Sequence, residues 1–270
     1  MNSRPLISIV TITYNAADVL QPTLDSVRRQ TYPHIEHLIV DGASTDRTLA
    51  LAEAYRMAVG SAYAVGIRSE PDRGIYDAMN KGLRLMKGDY VVFLNAGDTL
   101  PHEDTLAAIA SAIHPSSSTL PPAVIYGDTN IVDAEGHYLH PRRLRPPKQL
   151  TWRSFRWGML VCHQAFYARA DIARRTEYDL QYRHSADVDW CIRVMKEAER
   201  EGAPLVNVNT VVANFAEGGD TAQHHRDSLK ERYRVMCRHY GSALTLLMHG
   251  WFVLRALSTK LSELFCNRQS

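Results

Sequence analysis

Leu6–Thr13 reads LISIVTIT, a β-branched and apolar run of strand length with Ser8 as its one interruption. A turn at Tyr14-Asn15 and a helical pattern through Val19, Leu24 and Val27 follow it. The same order of signals returns at His37–Val40 (HLIV), with the loop DGASTD and a helix through Leu49–Met57 that Thr45 or Asp46 could cap. It returns again at Tyr63–Arg68, the loop SEPDRG and Ile75–Met86, and at Tyr90–Leu94, the loop NAGD and Glu103–Ile113. Four strand-helix units in succession predict an α/β fold with a doubly wound, mostly parallel sheet. Ligands of such sheets gather at the carboxyl ends of the strands. Here those ends supply Tyr14 and Asn15, then Asp41, then Asp72 and Arg73, and finally Asn95 and Asp98.

Beyond the connection Ser116–Pro122, the regular alternation stops. Val124–Asp128 reads as another strand, and Asn130–His140 as a hairpin turning near Ala134-Glu135-Gly136. The basic, proline-broken stretch His140–Lys148 (HPRRLRPPK) reads as a loop, and the second half as an elaboration on the sheet. Three regions result: 1–128 as a ligand-binding α/β half, 129–240 as the elaboration, and 241–270 as an amphipathic helical segment.

Composition narrows the function classes. The chain has 270 residues, 45% of them hydrophobic, and a net charge of +2, enough to bury a large core and too neutral to argue for a nucleic-acid partner. The 31 lysines and arginines crowd into the second half, which suits an acidic ligand or a membrane surface. Cys162, Cys191, Cys237 and Cys266 form no CxxC pair, so neither a zinc site nor a disulfide framework is indicated, and reduced thiols in a cytoplasmic protein are expected. The first apolar run is too short for a signal peptide. Leu244–Phe265 is rich in Leu, Trp and Phe, but His249, Arg255, Lys260 and Glu263 interrupt it too often for a spanning helix. It could lie on a membrane, form a dimer contact or pack as a core helix, since amphipathicity does not say what its apolar face meets.

No GxGxxG follows the first strand and no GxxxxGK[ST] occurs, which removes most support for a dehydrogenase or a P-loop enzyme. What remains is a set of strand-end carboxylates able to hydrogen-bond a base or ribose, or to hold a divalent cation against a diphosphate. Asp98 is the metal candidate among them.

The ordered motifs SIVTITYN, VDGASTDRT, SEPDRGIYDAMNKGL and GDYVVFLNAGD resemble the nucleotide-sugar-binding half of family 2 glycosyltransferases with a GT-A (Rossmann-like) fold, in particular the bacterial enzymes that assemble exopolysaccharides such as colanic acid. The resemblance implies that Thr13 and Tyr14 line the base pocket, that Asn15 belongs to the donor site and that Asp41 hydrogen-bonds the base. Asp72, Asn80, Lys81 and Asn95 would face the donor, and Asp98 would hold Mg²⁺ or Mn²⁺ on the diphosphate. Many relatives carry two or three acidic residues in the last motif, whereas Asn95 and Gly97 leave Asp98 alone here. A lone carboxylate suffices for Mg²⁺, which keeps several waters and needs few protein ligands.

YRHSADVDWCIRV, Tyr182–Val194, is similar to the acidic motif that supplies the base in this family, with Ala186 in place of its usual Glu. Asp187 inherits the role, with Asp189 as the second candidate. CHQAFYAR, Cys162–Arg169, resembles the acceptor-side motif and assigns His163 and Gln164 to the acceptor site; FAEGGDT, Phe215–Thr221, resembles the Gly-Gly loop. His224 and His225 could approach the diphosphate or the metal, or simply be exposed.

Each residue also has an ordinary structural reading. Asp41-Gly42 is a turn signal, Asp98 could begin the turn before Pro101, and Asp187 could cap the following helix. His163 could be a satisfied interior histidine, and Arg142, Arg143 and Arg145 a solvated loop. The expected function is an inverting transfer from a UDP- or GDP-sugar to a growing, lipid-linked glycan, in a cytoplasmic protein peripheral to the inner face of the membrane. The alternative is a non-catalytic nucleotide-sugar-binding or scaffolding subunit of a polysaccharide assembly complex.

Overall fold

β1 (Ile7–Thr13) is buried along its whole length, as a central parallel strand covered on both faces must be. The computed structural model describes residues 4–113, 120–217 and 225–251. After β1 come α1 (Ala17–Arg28), β2 (Ile35–Asp41), α2 (Thr48–Val59), β3 (Ala64–Ser69), α3 (Ile75–Leu85), β4 (Tyr90–Phe93) and α4 (Thr105–Ser111). The four strand-helix units expected from periodicity are therefore present, and β3-β2-β1-β4 are all parallel. Successive residues of β2 face opposite sides of the sheet. Ile39 joins Leu20, Leu24, Ala52 and Tyr55 of α1 and α2 on one side, whereas Val40 joins the larger cluster containing Met79 and Leu83 of α3 on the other.

The second half extends the same sheet. It comprises β5 (Val124–Val132), β6 (Tyr138–Pro141), 3-10 turns at Trp152–Trp157 and His163–Ala165, β7 (Phe166–Arg169), α5 (Ala170–Arg175), α6 (Ala186–Glu201), β8 (Leu205–Ala216) and α7 (His225–Tyr240). β7 wedges antiparallel between β4 and β5, and β8 pairs parallel with the remaining edge of β5. The eight strands thus run β3-β2-β1-β4-β7-β5-β6, with β8 alongside β5. The β5–β6 hairpin turns where the sequence predicts, with Asp133 accepting from the backbone N–H groups of Glu135 (3.1 Å) and His137 (2.7 Å).

Three polar rungs cross the β1–β2 interface. Ser8 donates to Glu36 at 2.5 Å, Thr11 meets His37 at 2.9 Å and Thr13 donates to Asp41 at 3.0 Å. The His37 ring continues to the Tyr55 hydroxyl at 2.8 Å, and Tyr55 to Tyr63 at 2.7 Å, so every polar atom of this interior chain has a partner. Burial pushes the His37 imidazole down to about 3, which keeps it neutral.

Residues 242–251 are helical and pack on α7, with the Tyr233 and His249 rings 5.0 Å apart. Thr245 and Met248 point inward, while Leu246, Leu247 and Trp251 are 66%, 71% and 49% exposed. Among the described residues no helix is long and apolar enough to cross a membrane. His224, the side chain of His225, Gly218 and Gly219 of the Gly-Gly loop, Cys266 and the part of 244–265 beyond Trp251 lie outside the described residues.

Candidate active site

At the carboxyl end of β2, Asp41 is 1% exposed and fully partnered. Thr13 and Ser44 hydroxyls donate to one oxygen; the Ser44 backbone N–H (2.9 Å) and the Ser69 hydroxyl (2.7 Å) donate to the other. Burial raises this carboxyl, and the hydrogen bonds from Ser44, Ser69 and Thr13 outweigh it, holding Asp41 below the usual carboxylate range. Asn15 clasps the same loop, accepting from Thr45 N–H at 2.9 Å while its own N–H donates to Ser44 at 2.8 Å; its φ of 47° is one that Asn tolerates. Beside this anchor, Gly42 is a point of close approach that leaves no room for a side chain. A Cβ there would lie 2.6 Å from Asp72 Oδ2 and 3.3 Å from Tyr14 Cδ2, so the first three strand-end loops converge on one glycine. Tyr14 is 68% exposed, an aromatic face available for stacking.

The fourth loop is a turn closed by Asp98 N–H donating to the Asn95 carbonyl at 3.0 Å, with Gly97 at φ 99°. Two buried hydroxyls of α1 hold it: Thr23 accepts from Gly97 N–H at 2.9 Å and Ser26 from Leu100 N–H at 3.1 Å. Asp98 receives two hydrogen bonds, from Gln164 Nε2 at 2.7 Å and from Ala216 N–H at 3.0 Å. Burial pushes it up to about 7, against the pull of those two donors. On the same turn Asn95 Oδ1 is buried with no hydrogen-bond partner among the described residues. A carboxylate short of positive charge and an orphaned amide oxygen form an all-oxygen donor set, which fits a hard divalent cation such as Mg²⁺ or Mn²⁺. The other acidic grouping with ligand atoms close together, Asp133, Glu135 and His137, is the hairpin turn between β5 and β6, and its hydrogen bonds account for it.

Asp187 lies in the first turn of α6, half-buried, where the helix dipole favours a carboxylate. Tyr76 Oη donates to it at 3.1 Å. Burial first, and then the Asp187 carboxylate, push the Tyr76 phenol well above its ordinary range, so it remains a donor. Beneath lies a stack: Tyr76 on Tyr178 (5.7 Å between centroids), and Tyr178 on Trp190 (4.9 Å). Burial raises the Cys162 thiol; Arg142 lowers it, and the carboxylates of Asp98 and Asp187 raise it further. A cleft of about 480 Å³ opens between the start of α3, Arg73–Asp77, and Leu180, Tyr182 and Arg183.

The structure therefore brings Thr13, Tyr14, Asn15, Asp41 and Asp72 together, and sets Asn95 and Asp98 on the next strand end. The remaining assignments sit behind this surface. Asn80 is 2% exposed and forks onto the Tyr178 backbone, donating to its carbonyl at 3.0 Å and accepting from its N–H at 2.7 Å. Lys81 Nζ donates to the Pro71 carbonyl at 2.7 Å, tying α3 to its own entry loop. His163 is an interior ring bonded to Tyr178 Oη at 2.6 Å and stacked on Phe93; burial brings it down to about 4, against a smaller upward pull from Asp187. Gln164 holds Asp98.

Asp189 has no exposure at all, being bonded by Arg193 Nε at 2.6 Å and His239 Nε2 at 2.7 Å. Burial raises it, and His239 and Arg193 outweigh that, keeping it below the usual carboxylate range. Of these two carboxylates of α6, only Asp187 is partly exposed, and its partner Tyr76 lines the cleft. Arg142 braces its loop by donating to the Leu144 carbonyl at 2.8 Å, while Arg143 and Arg145 are exposed. Sequence reasoning missed Ser44, Ser69, Tyr76 and Tyr178; the first three lie inside the motifs VDGASTDRT and SEPDRGIYDAMNKGL that carry the resemblance, and Tyr178 lies outside them.

Comparison with known proteins agrees with this geometry. The family model for glycosyl transferase family 2 matches residues 8–175. A PGL/p-HBAD biosynthesis glycosyltransferase of Mycobacterium tuberculosis is 35% identical over 229 residues, covering 80% of this chain and 78% of that protein. A second M. tuberculosis protein, an uncharacterized glycosyltransferase, is 34% identical over 224 residues, covering 81% of this chain and 78% of its own length. Among solved structures, S. aureus TarS 1-349 in complex with UDP-GlcNAc superposes with a TM-score of 0.68 at 16% identity, over 94% of this chain and 73% of that one. The mannosyltransferase PcManGT from Pyrobaculum calidifontis, in complex with GDP-Man and Mn²⁺, gives 0.61 at 18% identity, over 97% and 81%. With the strand-end loops gathered as a GT-A fold requires, a family model matching residues 8–175 and a relative similar over about four-fifths of both chains, the chain belongs to glycosyl transferase family 2 and is a glycosyltransferase.

Proposed function

We propose that this enzyme transfers a sugar, with inversion, from a UDP- or GDP-sugar to a growing, lipid-linked cell-surface glycan. The observation that carries the reading is the convergence of Tyr14, Gly42 and Asp72 beside the anchored Asp41, with Asp98 held by Gln164 and Asp187 by Tyr76, the ring that stacks on the Tyr178 partner of His163. Tyr14 stacks the base, and Asp41 holds the loop that the base rests on. Asp98, with the Asn95 amide oxygen, holds Mg²⁺ or Mn²⁺, which when bound neutralises diphosphate charge. Asp187 accepts the proton of the acceptor hydroxyl as that oxygen attacks the anomeric carbon. The bond from that carbon to the diphosphate oxygen breaks, its electron pair leaves with the nucleoside diphosphate, and the configuration inverts. Tyr76 keeps Asp187 oriented toward the cleft.

The lipid-linked acceptor and a cytoplasmic position at the inner face of the membrane draw support from the exposed Leu246, Leu247 and Trp251, beside Leu229 and Tyr233 of α7, a patch suited to peripheral contact. The similarity to a glycosyltransferase of PGL/p-HBAD biosynthesis also supports a role in building a surface glycan.

The deciding variant is Asp187→Asn. Calorimetry with the cognate nucleotide and Mn²⁺ should give unchanged affinity, while release of UDP or GDP from the sugar donor falls about 100- to 10,000-fold. Full turnover by the variant would remove Asp187 from the role. A wild type that binds nucleotide but never turns over would mark a binding subunit.

A further inference from the structure

α7 touches the segment leading into Asp187 at consecutive residues. Glu231, 6% exposed, accepts hydrogen bonds from the backbone N–H groups of Arg183 (2.9 Å) and His184 (2.7 Å), one on each carboxylate oxygen. Next along the chain, the Ser185 hydroxyl donates to the Ser228 carbonyl at 3.1 Å, one turn earlier on α7. Ser185 is the residue immediately before α6, and its own side chain caps nothing in that helix. Farther on, Asp189 is gripped by His239, near the end of α7. The base-bearing turn of α6 is thus held from outside at 183, 184, 185 and 189, all by a single helix.

We propose that Glu231 is a positioning residue for glycosyl transfer, its carboxylate fixing residues 183–185 so that Asp187 faces the cleft beside Tyr76. This rests on the reading of Asp187 as the base. Bidentate capture of two consecutive amides by a buried carboxylate is a charge-assisted, directional contact, so it sets orientation as well as adding stability. Two neighbouring features agree with it. Arg183 also lines the cleft, so the segment that Glu231 holds is itself part of the cleft wall. The Glu231 charge is also felt by the Tyr76 phenol, the group that donates to Asp187, after the larger effects of burial and of Asp187 itself. A displacement of the base by an ångström is enough to slow chemistry without touching donor affinity.

The test uses the full-length protein with Mn²⁺ and either UDP-GlcNAc or GDP-mannose, whichever turns over. It compares Glu231→Gln, Glu231→Asp and the cavity variant Val235→Ala, whose side chain is fully buried on the same helix. Gln presents an N–H₂ to one of the two amides and Asp is too short to reach both, so each should lose about 10- to 100-fold in kcat with donor KM within about 2-fold of wild type. Val235→Ala should lower the melting temperature and leave kcat within about 2-fold, because it loosens α7 without releasing residues 183–185. Hydrogen–deuterium exchange gives a readout independent of turnover: amides 183–187 should exchange faster in both Glu231 variants, and those of β1 to β4 should not change. Unchanged exchange at 183–187 would overturn the proposal, as would faster exchange with unaltered kcat, or a kcat loss in Val235→Ala equal to that in the Glu231 variants. A wild type that binds nucleotide without turnover would count against the enzyme reading on which this rests, and the exchange comparison alone would then decide whether Glu231 holds the segment.

Discussion

Asp41 and Asp98 stand at the ends of β2 and β4, the two strands that flank β1, and both are almost fully buried. Their surroundings differ sharply. Asp41 has donors from Thr13, Ser44 and Ser69 and is held ionised; among the described residues Asp98 has only Gln164 and Ala216, and burial takes it up to about 7. A buried carboxylate with its lone pairs filled is an anchor, whereas one left short of donors is a place for a cation. The first corner is built to hold a loop still beneath a base, the second to bind charge.

The largest effect should come from breaking that asymmetry at its open end. Asp98→Asn keeps the shape of the turn and removes the charge, so Mn²⁺ should no longer tighten nucleotide binding and turnover should fall about 100- to 1,000-fold. Metal-stimulated binding that survives in the variant would place the cation elsewhere.

The next effect is on stability. Asp98 has its folded value raised above the ordinary carboxylate range, so between pH 4 and 7 the native state holds a proton that the unfolded state has lost. Ionising it therefore costs stability as pH rises, by up to about 4 kcal/mol in total across that window for a shift to about 7. Asp98→Asn should gain on wild type in urea melts as pH climbs from 4 to 7, and saturating Mn²⁺ should close the gap from the wild-type side. His37 and His163 act with the opposite sign: their folded values are depressed to about 3 and about 4, so each withdraws stability as pH falls below about 6.5. The two proteins share those histidines, and the difference between them isolates Asp98.

At the filled corner, Asp41→Asn would face several donors with an N–H₂ group. It should lose about 1–3 kcal/mol of stability at pH 7, and nucleotide affinity with it; a variant as stable as wild type would mean the network is dispensable. The smallest effect belongs to Tyr14→Ala. That side chain is 68% exposed, so stability should stay within about 0.5 kcal/mol while nucleotide affinity falls about tenfold through lost stacking.

These contrasts also show what a sequence displays and what it hides. β1 to β4 were legible because each is a short apolar run followed by a helical period, and the residues at their ends are close in sequence to the strands that place them. The boundaries moved by a residue or two, as with β3 at Ala64–Ser69 against the expected Tyr63–Arg68. The acceptor side was not legible in the same way, because its geometry comes from contacts between distant parts of the chain. Ala216 reaches Asp98 across 118 residues, Tyr178 reaches Asn80 across 98, and Glu231 reaches Arg183 across 48. No periodicity encodes such pairings. Asn80 and His163 therefore read as groups facing substrate, while the fold uses them to hold Tyr178. The place of Asp187 next to Ala186 in the motif ranks it above Asp189, and the contacts of His239 and Arg193 with Asp189, which no spacing encodes, are what separate the two in space.

The most direct test of the account is calorimetric titration of the protein with UDP and with GDP, each with and without Mn²⁺. The account predicts that one of the two nucleotides binds, and that Mn²⁺ tightens it. Failure of both to bind, with metal present, would contradict the claim that these strand-end loops form a nucleotide-sugar site.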